Sequence, residues 1–203
     1  MTRPWQRVGR QLHRAACVLG PRWRAWWVRT FLGLNVGKVG VHVKFRGLAH
    51  CRFGANFRVG DFCWIEAVTG YAGRRYEPDL RIGRDVAISD LTHISCVLQV
   101  IVGDGCLLGS KVYIGDHSHG PTAGLTPALL AIRPALRELD GARPIHLGDR
   151  CWVGDGAVIL GGTMLCAGSI VAANSVVRLV CDRPALVAGA PARLVRYLDP
   201  DPA

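Results

Sequence analysis

The chain has no Cys-x-x-Cys pair, no apolar run approaching the ~20 residues needed to span a bilayer, and no Gly-x-Ser-x-Gly turn. The first absence removes the commonest zinc and dithiol spacings. The second argues against a membrane-spanning helix, and the third against the elbow that presents a nucleophilic serine. No cleavable secretory signal is visible, so the eight cysteines are expected to be reduced thiols of a cytoplasmic protein rather than a disulfide framework. There is also no RNP motif, helix-turn-helix or interleaved stacking motif, so the formal charge of +10 does not by itself indicate a nucleic-acid binder.

What is present is glycine (25 of 203 residues), a hydrophobic half and a pI of about 9.7. Length and composition suit one domain with a terminal appendage and a sizeable core. The basic balance favours a polyanionic partner: nucleic acid, a membrane surface or a phosphorylated cofactor.

The strongest pattern is a period of six. Stepping by six from Phe53, Ile82, Val102 and Leu147 lands on Val59 and Ile65, on Ile88 and Ile94, on Leu108 and Ile114, and on Val153, Ile159, Leu165, Val171 and Val177. All fifteen positions are apolar. The following residue is usually small, and so is the fifth, which takes in Cys63, Cys106, Ser118 and Cys151, with Phe57 and Leu98 as exceptions. Six matches neither a helix nor a plain alternating strand. It predicts a parallel β-helix in which three hexapeptides make one triangular coil and coils stack at ~4.8 Å. The aliphatic and fifth residues face inward, which gives those three cysteines a packing role.

Interruptions of such a repeat become surface loops. A short one covers Tyr71–Leu80, and the long one runs over 117–146. The long excursion contains "TPALLAIRPALREL", expected as a short helical turn broken by Pro134. It opens inside "VYIGDHSHG", beginning at His117 and including His119. The segment 181–203 is expected to be a short helix or an extended tail, with Arg193 and Arg196 on related faces. At the other end, Trp5, Val8, Leu12, Ala16 and Leu19 share a helical face opposite Arg3, Arg7, Arg10 and Arg14. Residues 1–34 are therefore expected to form an amphipathic helical segment. It either caps the open first coil or lies on an anionic membrane.

The repeats, "VYIGDHSHG", the long loop, "IHLGDRCWVGDGAVILGG" and "VAGAPARLVR" together resemble the hexapeptide-repeat acyltransferases, closest to acetyltransferases of bacterial exopolysaccharide clusters. The likeness covers roughly 36–197. It implies an all-β solenoid over 35–180, a left-handed β-helix, with a C-terminal tail that helps bind CoA. It implies a homotrimer with active sites between protomers, acetyl-CoA as cosubstrate, no metal, and a saccharide or lipid-linked saccharide acceptor. The protein would act in the cytoplasm or at the inner face of the membrane. N-acetylation of serine or an amino sugar stays open beside O-acetylation.

Acetyl transfer from a thioester to a hydroxyl needs a base, and a neutral imidazole can serve. The resemblance assigns that role to His117, with His119 as runner-up. Two adjacent side chains in an extended segment point apart, so Asp116 is expected to meet substrate more than to orient His117. His93, and Tyr113 one coil later, are expected to line the acceptor side, and Trp152 the acetyl pocket. Gly154, Asp155 and Ala173 are implied for the pantetheine arm, and Arg178, Arg193 and Arg196 for CoA phosphates. A γ-carbonic-anhydrase-like zinc site would draw on His93, His117 and His119, but His-x-His is not the wider spacing such a site would demand.

Overall fold

The computed structural model describes residues 20–121 and 123–198. The face predicted for residues 3–19 lies outside the described residues.

Three parallel sheets form the walls of a triangular prism, and the period of six accounts for each. The first wall stacks Val36–Val39, Phe57–Val59, Ala87–Ile88, Leu107–Leu108, Trp152–Val153 and Ile170–Val171. The second stacks Lys44–Arg46, Trp64–Ala67, His93–Cys96, Tyr113–Gly115, Val158–Leu160 and Val176–Val177. The third carries Cys51–Phe53, Asp79–Ile82, Gln99–Val102, Ile145–Leu147 and Met164–Leu165. The repeat positions align in register as interior columns, one of which runs Ile65, Ile94, Ile114, Ile159, Val177. Fourteen of the fifteen are buried; Phe53 is half-buried and stacks on Phe57 at 4.8 Å. The fifth positions are buried too, including Cys63, Cys106, Thr163 and Ser169. Phe57, an exception in size, is fully inside, whereas Leu98 is turned out.

Corners of the prism need a left-handed backbone residue, and several are not glycine: Asn56, Phe62, Leu91, Lys111 and Arg150 all have φ between 55° and 61°. Phe62 and Leu91 are exposed there, because the corner swings them away from the core.

Residues 20–32 form a helix that closes the open first coil. Ala25 and Val28 bury against it, and Arg24 Nε and Arg29 Nη2 donate to the carbonyls of Val39 and Val36 (2.9 and 2.8 Å). The capping role is therefore present in residues 20–32. The far end corrects an expectation. Instead of a helix or loose tail, Ala185–Gly189 and Ala192–Tyr197 form an antiparallel hairpin that extends the first wall. Its period is two, with Ala185 and Val187 buried, so burial against the last coil outweighs any helical preference. A bulge at Val195 sets Arg193 opposite Ala188 and Arg196 opposite Leu186. Ala188 and Leu186 alternate with the buried Ala185 and Val187, so both arginines face outward on one side.

The interruptions behave as surface structure. Gly70–Tyr71 and Arg74–Arg75 pair as a hairpin. The long excursion leaves after Asp116 and returns at Arg143, whose N–H donates to the Asp116 carbonyl at 2.9 Å. Within it are a short helix at Pro127–Ala131 and a 3-10 turn at Pro134–Leu136. Ser118–His119 pairs antiparallel with Leu139–Asp140. Ser118 is thus not an inward fifth residue. The register ends at Asp116, and the Ser118 hydroxyl donates to the carbonyls of Gly120 and Asp140 (2.9 and 3.2 Å).

Candidate active site

The corner that follows Tyr113–Gly115 is built around Asp116, which is fully buried. Its carboxylate accepts the backbone N–H groups of Val97, Leu98 and Gln99 at 3.0, 2.8 and 2.9 Å. These belong to the corner of the preceding coil. The fourth partner is His117 Nδ1, 2.8 Å from Asp116 Oδ1. This corrects the expectation that adjacent side chains diverge. The alternation rule holds only inside a strand, and the chain bends at Asp116. It also moves Asp116 from contact with substrate to a supporting position, since its oxygens are fully engaged below the surface.

A buried carboxylate surrounded by donors requires a donor from His117 as well, so in the neutral imidazole the proton sits on Nδ1 and Nε2 holds the free lone pair. Nε2 has no protein partner among the described residues, and the side chain keeps 6% of its surface exposed. His117 is therefore held and nearly enclosed.

His119 differs. It is exposed, pairs with no carboxylate among the described residues, and meets the edge of Tyr71 with centroids 5.1 Å apart. Around it the two interruptions lock together. The Tyr71 hydroxyl donates to the Ala135 carbonyl (2.9 Å), Arg74 pairs with Glu138 (2.8 Å), and the Tyr76 hydroxyl accepts the Leu139 N–H (2.9 Å).

On the outer side of the second wall, His93 aligns with Tyr113, as the register predicted. His93 lies flat on Trp64 (4.6 Å, 13°) and edge-on to Tyr113 (5.4 Å). Its Nε2 is 3.6 Å from Glu66 Oε1, and Ser95 donates to the same oxygen at 3.2 Å. Burial alone would raise the Glu66 carboxyl; His93, Ser95 and Arg46 outweigh it and hold that carboxyl below its ordinary value. Burial, with Asp116 and Glu66 nearby, pushes the Tyr113 phenol up. Trp64, Glu66 and Ser95 were not singled out from the sequence. The in-register repeat around His93 would have found them.

Gly154 and Ala173 do stack at successive corners: a Cβ on Gly154 would stand 2.6 Å from Ala173 N. Asp155 accepts the Ser110 N–H at 2.8 Å, a bond that ties two coils together. Trp152 is half exposed on the first wall, between Leu107 and Ile170. Arg178 is exposed beyond the last strand of the second wall. Gly154 and Asp155 sit at the corner that precedes the second wall, with Trp152 just before it on the first wall, and His117 sits at the corner that follows, so a single chain does not bring the two groups together. The three histidines considered for zinc also diverge onto Trp64, Asp116 and Tyr71. Among the described residues no three His, Cys, Asp or Glu side chains converge as a metal site.

Comparison with known proteins adds to this geometry. A family model described as bacterial transferase hexapeptide (six repeats) matches residues 144–178, and one described as hexapeptide repeat of succinyl-transferase matches 99–115. Nodulation protein L of Rhizobium meliloti (strain 1021) is 30% identical over 193 residues, 92% of this chain and 84% of that protein. WbbJ of Escherichia coli (strain K12), named as a lipopolysaccharide biosynthesis O-acetyl transferase, is 34% identical over 113 residues, 55% of this chain. The matched stretch spans 57% of WbbJ and 50% of the Nodulation protein L of Rhizobium leguminosarum bv. viciae. Among solved structures, a serine-to-cysteine mutant of AntD, an N-acyltransferase from Bacillus cereus, superposes with a TM-score of 0.61 at 17% identity. The match covers 84% of this chain and 87% of that one. AntD was solved with dTDP-4-amino-4,6-dideoxyglucose and coenzyme A, and at this identity the likeness concerns the fold.

Proposed function

Because the chain belongs to the hexapeptide-repeat acyltransferase family, with its left-handed β-helix, we propose that it is an acetyl-CoA-dependent O-acetyltransferase. Its acceptor is a sugar hydroxyl, free or lipid-linked, in exopolysaccharide or cell-envelope polysaccharide biosynthesis. The name of WbbJ supports the reaction and the substrate class. The observation that carries the reading is the Asp116–His117 pair.

Asp116 holds the proton on Nδ1. Nε2 then takes the proton of the acceptor hydroxyl as its oxygen attacks the thioester carbonyl. The tetrahedral oxyanion collapses, the carbon–sulfur bond breaks, and the thiolate of CoA leaves with a proton returned from the imidazolium. No acyl-enzyme forms, because both substrates are held together and transfer is direct. His119, braced by Tyr71, shapes the mouth of the site. His93 and Tyr113 line the acceptor side. Gly154, Asp155 and Ala173 follow the pantetheine arm and Trp152 bounds the acetyl pocket. The two outward arginines of the hairpin, Arg193 and Arg196, with Arg178, meet CoA phosphates. The two corners lie on either side of one wall, which supports a homotrimer in which one copy's CoA-binding corner faces the histidine of the next. The place of action proposed with it is the cytoplasm or the inner face of the membrane.

The test is acetyl transfer by His117→Ala, read by mass spectrometry across a panel of saccharide acceptors. Turnover is expected to be lost while CoA still binds and the fold is kept. Undiminished turnover would overturn the assignment.

A further inference from the structure

The charge of +10 is not spread over the molecule. Residues 1–60 hold twelve of the 25 lysines and arginines and none of the 15 aspartates and glutamates. Residues 61–203, with thirteen cations against fifteen acids, carry a net −2. The described part of that basic stretch is one end of the solenoid, away from Arg193 and Arg196 on the terminal hairpin, so CoA phosphates do not account for it.

The helix at 20–32 is apolar on two opposite sides. One side is the capping face of Ala25 and Val28. On the other, at the i, i+3, i+4 and i+8 spacing of a single stripe, Trp23, Trp26, Trp27 and Phe31 are 65, 54, 44 and 62% exposed. Trp23 and Trp27 overhang a cleft of about 620 Å³ between the helix and the first coil, where Lys44 and Arg46 also stand. On the other flank of the helix, Arg22, Lys38 and Arg58, with the single acid Asp85, line a second hollow of about 410 Å³.

We infer that this end of the solenoid docks on an anionic phospholipid surface. An aromatic ridge with cations on both flanks complements an interface that is apolar below and negative above. The rings enter at the headgroup boundary and the cations meet lipid phosphates. A second copy of the chain is the poorer occupant, because a two-fold contact through this end would set like charges against each other. No helix among the described residues is long and apolar enough to cross a membrane. The coil that ends in His117 stands three strand spacings, ~14 Å, above Lys44–Arg46. That height suits an acceptor carried on a lipid headgroup, although the docking face does not depend on acetyl transfer.

The experiment is cosedimentation of the full chain with phosphatidylcholine vesicles, with and without phosphatidylglycerol, together with tryptophan emission. Binding and a blue shift are expected only with the anionic lipid, and both should fade as salt screens the charges. Arg22→Gln/Lys38→Gln should bind roughly 30-fold more weakly. Trp23→Ala/Trp27→Ala should bind at least ~10-fold more weakly. Both variants should keep transfer to a soluble acceptor. Equal sedimentation with both vesicle types would overturn the inference. So would a tryptophan variant that binds vesicles normally but loses self-association. If a variant fails to fold, the lipid and salt dependence of the unaltered chain still decides.

Discussion

Asp116→Asn separates catalysis from stability, because the two carboxylate oxygens have different partners. Oδ2 takes the N–H groups of Leu98 and Gln99 at 2.8 and 2.9 Å and reaches Val97 N at 3.2 Å, whereas Oδ1 faces Val97 N and His117 Nδ1. Asparagine has the same shape but one carbonyl oxygen. With that oxygen at the Oδ2 place, the backbone donors keep an acceptor and the amide NH2 points at Nδ1. His117 must then accept there and carry its proton on Nε2, where no base is left. With the oxygen at Oδ1, two buried N–H groups would face donors, at ~1–3 kcal/mol each. The first arrangement is therefore favoured. It exchanges charge-assisted bonds for neutral ones, a loss of ~2–3 kcal/mol over the three N–H groups. The loss of a general base is worth ~10²–10⁴ in rate. Asp116→Asn should thus remain folded, with a lowered urea midpoint, bind CoA normally, and lose kcat on the scale of His117→Ala. Since Asp116 acts through His117, the double variant should be no slower than His117→Ala alone. Near-normal kcat in Asp116→Asn beside an inactive His117→Ala would refute the tautomer argument.

His119→Ala should cost less than ~10-fold in kcat, because its contact is with Tyr71 and not with a carboxylate; a loss equal to that of His117→Ala would reverse their roles. Gly40→Ala should destabilise by about 1–3 kcal/mol in urea unfolding, since the added Cβ would run into the backbone carbonyl of Gly60. Glu66 has its carboxyl held below the ordinary 4.5, so its contribution to stability is complete above that value and disappears as pH falls through the lowered one. Glu66→Gln should accordingly flatten the acid limb of a stability–pH curve; an unchanged limb would mean that Glu66 contributes nothing there.

The solenoid was legible because each interior position of a hexapeptide is decided locally. Ile94, Ile114 and Ile159 each need only their own coil and the next, and a short period repeats that requirement. The terminal hairpin lost that regularity, and its buried Ala185 and Val187 became visible only against the last coil. The bracing of His119 was hidden for another reason. Tyr71 and Ala135 are 64 residues apart, as are Arg74 and Glu138, and neither contact leaves a local pattern. His117 was found by resemblance, while its pairing with Asp116 was missed because strand alternation was extended past the end of the strand.

The geometry of Asp116 has a precedent within the chain itself. Asp61, Asp90, Asp104, Asp149 and Asp155 stand at prism corners, each after a glycine or serine, and each turns its carboxylate back to accept a backbone N–H of a neighbouring coil at 2.7–2.9 Å. Gly115-Asp116 is the same corner unit. Two features set it apart. In the coil behind it the step from Ile94 to Val102 is eight residues instead of six, so its corner offers three N–H groups rather than one. The chain beyond it also leaves the prism, so the next residue folds over the carboxylate instead of continuing along a wall. A fastening used at five other corners thereby gains a histidine on its free side. The motif "GDHSHG" is a repeat corner adapted for proton transfer, and the carboxylate that steers the imidazole is the residue the repeat already required.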